Sequence, residues 1–571
     1  MILGVVKLNG NTFFFDYCNP FHSTMGLGVL DDRSGLSGVP GTVALADTDH
    51  LGDSNPRLKR GTGKDKHVIL APQPSDDPND PLNWPYRKKV LIILIIVLGA
   101  CLNASTVGPL LSSSVVVLAE EFNRPITDIT LLTGYNMVVA GASCPLASAL
   151  AAKYGKRPVF FGSSMACLVG TIVGSFSQTY HTLLAARIIQ GLGFAAYESL
   201  AFSVVGDLFF VHQRGAWVNV ISFTLSAVSN LSSVIAGPIT FNLGWHYLFH
   251  ILIAASGLQS ILCFFFAPET SYIQGASFDQ HLATGDEKTD VEVTAVAEHL
   301  EAAVGAERPQ TTQTRIKKTF WQELALYTGV YTQESLLKLI FGPFVCLTNL
   351  IALWTVVVTA VITSTYVAIS YVVAQIFSPP PYLLSSAQVG YLSAGPFIGG
   401  VIGTVLVAQT TDRLAVWMAT RNKGVYEPEF RLPLVIFSLI CIAGLCGFGA
   451  VAQAQGNVYV IDFMWGLTLV GICFAVGPCS SYAIDAFREM SNEIFVANVM
   501  VKNFLFFGYS YFVNDWIPSN GPGTPFNVFA GVSAALSISA LPVYLFGKRY
   551  RSFWHTHNIM EKLGIQPHAE M

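Results

Sequence analysis

The chain has 571 residues, 52% of them hydrophobic and 12% charged, with a mean hydropathy of +0.50 and a net charge of −4. A soluble domain carries about a quarter charged residues, so this composition excludes a soluble globule and indicates an integral membrane protein. With little net charge and no basic stripe among exposed aromatics, it also excludes a nucleic-acid partner.

Residues 1–89 read as a tail. Residues 1–24 lack the basic start and compact apolar core of a secretory signal, and Met25, opening MGLGVLDDR, is an alternative start. Twelve apolar stretches follow, at roughly 90–115, 128–151, 158–177, 182–205, 216–241, 245–267, 344–372, 387–409, 432–453, 457–482, 493–515 and 526–547. Each matches the about 20 residues a helix needs to cross about 30 Å of hydrocarbon. The expected fold is therefore all-α and membrane-spanning. Its domains are a six-helix half at 90–267, a charged central loop at 268–343, a second six-helix half at 344–547 and a tail at 548–571.

Basic residues collect on one side: Arg87, Lys88 and Lys89; Lys153, Lys156 and Arg157; Arg413 and Arg421; Lys548, Arg549 and Arg551. The short loops of the other side offer Arg124 alone. The positive-inside rule then puts both tails and the central loop in the cytoplasm. LLTGYNMVVAG in the second stretch echoes AQVGYLSAGPFIGG in the eighth, setting Gly134-Tyr135 against Gly390-Tyr391. Repeated halves around a midplane site are a transporter plan.

No GxxxxGK[ST] loop cradles a nucleotide, and GTGKDK at 61–66 has neither the spacing nor the hydroxyl. No catalytic cluster, HExxH motif or cofactor site stands out, so the chain is read as a non-enzyme without cofactor or metal, driven by an ion gradient. The ten cysteines, Cys18 aside, lie in apolar runs and form no CxxC pair, as small apolar residues would. His246 and His250 have a chelating i, i+4 spacing but no third ligand. Asn103 and Asn230 open glycosylation triplets inside apolar stretches, where no acceptor is expected. The hydroxyls of WTVVVTAVITSTYVAISY could line a cavity or bond their own helix.

Two charges interrupt LLAARIIQGLGFAAYESLAFSVV. A charge at the centre of a membrane helix costs about 2.5–3.5 kcal/mol on insertion scales. Glu198 follows Arg187 by eleven positions, so they share a face with Gly191 and Phe194, about 16 Å apart along the axis. One reading has this face lining a cavity, with Glu198 taking a cation or proton and Arg187 taking part in coupling. The other has Arg187 held by backbone carbonyls or a neighbouring helix. In IFVANVMVKNFLFFGYSYF, Asn498, Lys502, Phe506 and Tyr509 form one stripe. Lys502, without an opposite charge on its own helix, is expected to meet a carboxylate across the cavity or to repel cations there. Gly191 and Gly193 are expected to let helices pack closely.

With these features the chain, from about residue 72 onward, resembles the major facilitator superfamily, within it the fungal twelve-span drug:proton antiporters, some of which take up organic cations. SDDPNDPLNWPYRKK, RNKGVYEPEFRLP and YAIDAFREMSNEI carry that resemblance. It implies the major facilitator fold, two pseudo-symmetric halves and alternating access. It also implies a proton-coupled role for the fourth-span signature Arg187, Gln190, Gly191 and Gly193. In the loop signature, Lys153, Gly155, Lys156 and Arg157 stand where the family has its basic motif, but Ala152 replaces the aspartate. The opposite half keeps Asp412 and Arg413. Gly237 and Pro238 retain part of the fifth-span antiporter signature, without its later glycines. The resemblance thus implies proton-coupled movement of a small organic substrate, cationic on one reading, by uptake or export, at the plasma membrane. A transporter-like sensor that binds ligand without net flux is the alternative.

Overall fold

The computed structural model describes residue 75, residues 77–272, 317–422 and 424–557, and short pieces of the tail (3–8, 11–16, 27–30, 39 and 41–44). Residues 1–2, the Met25 start, GTGKDK and residues 273–316 of the central loop lie outside the described residues, as do residues 558–571 of the final tail.

Eleven described helices are long and apolar enough to cross a membrane: spans 1 to 6 are Tyr86–Thr106, Ile126–Tyr154, Lys156–Ser175, Tyr180–Leu208, Gln213–Leu243 and His246–Phe266. Spans 7 to 10 are Leu350–Phe377, Ser386–Arg421, Pro428–Gln453 and Val458–Ala486, and span 12 is Gly523–Thr556. The eleventh position is filled by Ser491–Asn520, a 30-residue helix (span 11). It is less apolar because Asn498, Lys502, Asn503 and Asn514 interrupt it. Span 7 follows a short apolar helix, Leu336–Cys346, and starts at an Asn349 cap that accepts from the Ile351 and Ala352 N–H groups at 3.0 and 3.1 Å.

Several helices depart from regular geometry. Span 1 widens over Ala100–Thr106 and unwinds at Gly108-Pro109, because proline has no N–H to continue the ladder. Span 5 widens over Thr224–Val228, and the Ser105 hydroxyl donates to the Thr224 carbonyl at 2.8 Å. Span 8 is broken near its start into Ser386–Tyr391 and Ala394–Arg421. Pro396 explains the break, since it cannot donate to the Leu392 carbonyl and its ring crowds it.

The halves meet along spans 2 and 11 and along spans 5 and 8. Both meetings use the repeated glycines. A Cβ on Gly134 would lie 2.1 Å from the Ser510 hydroxyl, and one on Gly390 would lie 2.7 Å from the Ser233 carbonyl. One apolar core reaches both halves, from Leu132 and Phe249 to Phe448 and Phe526.

The tail crosses to the second half. Val29 is buried against Met418, Ala419 and Phe430, and its neighbour Leu30 donates its N–H to the Leu545 carbonyl at 3.1 Å. Residues Val43–Ala44 pair antiparallel with Val425–Tyr426, and the Thr42 hydroxyl donates to Glu427 Oε2 at 2.7 Å. The basic loops share this end of the bundle, the basic end; the opposite end is the far end.

Candidate functional site

Arg187 is fully buried, and its guanidinium holds the unwound turn of span 1. Nη1 donates to the Val107 carbonyl at 2.8 Å and to Gln190 Oε1 at 3.0 Å, and Nη2 donates to the Gly108 carbonyl at 3.1 Å. Gln190 in turn donates to the Thr171 hydroxyl at 3.0 Å. Of the two arrangements expected for Arg187, the structure has the one on backbone carbonyls. The break at Gly108-Pro109 supplies those acceptors. Gly191 and Gly193 sit where a Cβ would lie 2.6 Å from the Asn136 carbonyl and 2.5 Å from the Ser163 carbonyl, which draws spans 2 and 3 close to span 4.

Glu198 lies in a separate network. Its carboxylate takes the Lys502 ammonium on Oε1 and the Asn503 amide on Oε2, the latter at 2.9 Å. Spans 4 and 11 bring these groups together from opposite halves. The two charges of span 4, expected on one cavity face, therefore serve different partners. Asn503 was not singled out by the sequence; its one signal is adjacency to Lys502. Asn498 accepts from the Thr359 hydroxyl of span 7 at 2.8 Å, and Lys502 Nζ lies 5.6 Å from the Phe506 ring centroid. Tyr509 packs on Phe529 with ring centroids 5.2 Å apart. The stripe 498, 502 and 509 is thus shared among spans 4, 7 and 12 rather than facing one open cavity.

Toward the far end the halves are closed. A Cβ on Gly237 would lie 2.6 Å from the Ser386 carbonyl, while Pro238 sits within span 5 beside it. The Tyr366 hydroxyl of span 7 bonds Asn230 Oδ1 of span 5. Next to this bond is a cavity of about 20 Å³, lined among others by Ser113, Ser233, Ser370, Ser393 and Trp465, with room for about one water. Tyr366 came from the hydroxyl-rich stretch whose orientation sequence could not give.

At the basic end, Lys153 donates to the Glu334 carbonyl at 3.0 Å and Lys156 pairs with Asp207 at 2.7 Å. Gly155 takes a φ of +97°, and its missing side chain leaves room for Glu269, which accepts the Lys156 and Arg157 N–H groups at 2.9 and 3.1 Å. Arg157 Nη2 donates to the Phe264 carbonyl at 2.6 Å. The aspartate missing at Ala152 is thus offset by carboxylates from span 4 and from beyond span 6. In the second half Arg431 links Asp412 at 2.9 Å to Asp485 at 2.6 Å, while Arg413 is exposed. Burial and the adjacent Asp485 carboxylate push the Tyr426 hydroxyl well above its usual range, so it stays a donor. Arg551 is buried between Glu427 and Glu429, at 3.0 and 2.8 Å. His246 bonds the Ser177 carbonyl at 3.0 Å, and no group of three metal-ligating side chains occurs among the described residues.

The profile of the Major Facilitator Superfamily matches residues 93–509. An uncharacterised MFS-type transporter of Schizosaccharomyces pombe is 25% identical, over 90% of this chain and 93% of its own length. The protein HOL1 of Saccharomyces cerevisiae is 23% identical, over 92% and 98%. The MFS-type transporter hepF of Aspergillus oryzae is 25% identical, over 76% and 84%. Among solved structures, the xylose transporter XylE of E. coli in a partially occluded inward-open conformation aligns with a TM-score of 0.52 at 16% identity. That alignment covers 79% of this chain and 97% of the other.

Proposed function

The chain belongs to the major facilitator superfamily, and we propose from that premise that it is a proton-coupled secondary transporter of a small organic cation. The two six-helix halves rock about a site at mid-bundle, so that it opens alternately to either end. The observation that carries this reading is Glu198, a carboxylate deep in the bundle whose cation partner comes from the other half. A substrate ammonium can replace the Lys502 ammonium on Glu198, with Asn503 and Asn498 as neutral hydrogen-bonding partners. Arg187 and Gln190 hold the unwound turn of span 1 that borders the path. The basic end faces the cytoplasm, as the positive-inside rule requires, with both tails there and the plasma membrane as the site of action.

Flux of radiolabelled organic cations in transporter-deficient cells, inward and outward, with and without a protonophore, tests this. Saturable flux that collapses with the protonophore and is weakened through a raised KM in Glu198→Gln supports the reading. Flux of neutral solutes alone, or cation flux untouched by Glu198→Gln, refutes it.

A further inference from the structure

Asp462 lies near the far end of span 10 and takes no part in the site above. The residue is half-buried, and of its two carboxyl oxygens Oδ1 is buried with no hydrogen-bond partner. It presses on the backbone of Gly395, where a Cβ would sit 2.3 Å from Oδ1. The Gly395 N–H lies within electrostatic reach of the carboxyl without satisfying that oxygen. Gly395 directly follows the break in span 8, and the piece before the break, Ser386–Tyr391, is what closes on span 5 through Gly390 and Gly237.

Among the described residues, no positive charge stands against Asp462. Tyr366 of span 7 is the titratable group near it, span 8 offers the Gly395 backbone, and span 9 packs Gly444 and Gly447 on Met464. No cationic side chain forms an ion pair with Asp462 among the described residues. One helical turn along span 10, Trp465 lines the serine-bearing cavity with its Nε1 unpartnered, as is the Ser113 hydroxyl. Both side chains are nearly fully buried, at 2% and 4% exposure. Water entering that cavity on opening would satisfy them and reach the hinge.

We propose that Asp462 is a proton-binding site that controls the far-end gate through the break in span 8. A charged carboxylate with a buried, unpartnered oxygen is costly, whereas the neutral acid is not. The closed far end therefore favours the proton-bound form. Opening admits water and favours the charged form. By linkage, a proton taken up from the far side closes this gate and its loss opens it. The proposal rests on the alternating-access reading and its orientation, but not on the substrate.

The test is labelling of Ser370→Cys, on the cavity wall, by a membrane-impermeant thiol reagent from outside the cell. Rates are compared at external pH of about 5 and about 8, a range over which an ordinary exposed carboxylate stays charged. They are normalised to Tyr459→Cys, an 83% exposed position at the start of span 10, which removes the reagent's own pH dependence. With Asp462 intact, the normalised rate should rise severalfold at the higher pH. In Asp462→Asn it should stay low and flat. Asp462→Ser, smaller and also proton-free, should lose the pH dependence too, and it guards against a folding defect of the first variant. A pH dependence that survives both substitutions, or none with Asp462 intact, overturns the proposal. Because no substrate is present, a wrong substrate class would fail the flux assay and leave this result untouched.

Discussion

Removing the Lys502 ammonium should loosen the junction between the halves by an amount the structure bounds. Breaking a fully buried ion pair costs about 3–5 kcal/mol, because one charge is left unpaired. Lys502 keeps 18% side-chain exposure and Glu198 8%, and Asn503 still holds one carboxylate oxygen. Lys502→Met is therefore expected at about 2–3 kcal/mol, below the fully buried case. Glu198→Gln strands the ammonium and should cost a similar amount. The double variant Glu198→Gln/Lys502→Met leaves no charge, so it should lose only about 1 kcal/mol, a coupling of about 3–5 kcal/mol. The assay is thermal survival of monodisperse protein in detergent: each single variant melts several degrees lower, and the double recovers most of the loss. Glu198→Gln should also raise the KM for a cation about tenfold to a hundredfold, the worth of one charge-assisted contact. Single losses that simply add in the double variant would refute the idea that this pair joins the halves.

Gly237→Val puts a side chain 2.6 Å from the Ser386 carbonyl, so the far end should stay propped apart. Flux should fall and labelling at Ser370→Cys should quicken. Arg187→Lys keeps the charge but cannot span both the Val107 and Gly108 carbonyls, so melting should drop by the equivalent of about 1–2 kcal/mol with lower flux. Lys156→Met strands Asp207 beside the Gly155 turn; a loss of about 2–3 kcal/mol and easier opening of the basic end are expected, read by cysteine labelling from the cytoplasmic side. Val29→Asp buries an unpaired charge against Met418 and Phe430, and should free the tail, seen as rapid limited proteolysis before span 1 with melting little changed.

The spans were legible because a bilayer demands continuous apolar length, and that demand is local. Even span 11, the least apolar, was readable, since its polar residues fall on a helical stripe. The partners were harder. Arg187 rests on carbonyls exposed by a kink eighty residues away, and backbone acceptors leave no mark in a sequence. Asp207 and Glu269 stand in for the aspartate absent at Ala152, yet they lie 51 and 113 residues from the lysine whose side chain and N–H they bind. The Lys502–Glu198 pairing was half legible: the charges demanded opposite partners, but only the packing of span 4 on span 11 chose them. The docking of the tail through Val29 and Thr42 had no periodic signal at all, since it is made by single residues in an irregular stretch.

The far-end glycine contact, Gly237 on Gly390, bears on speed. Surfaces that meet backbone to backbone have no interlocked knobs to withdraw and few rotamers to reset before they part. Such a seam slides apart like two smooth plates, so the slow event in each cycle is expected to be the exchange of charges around Glu198 and not the unsealing of the bundle's rim.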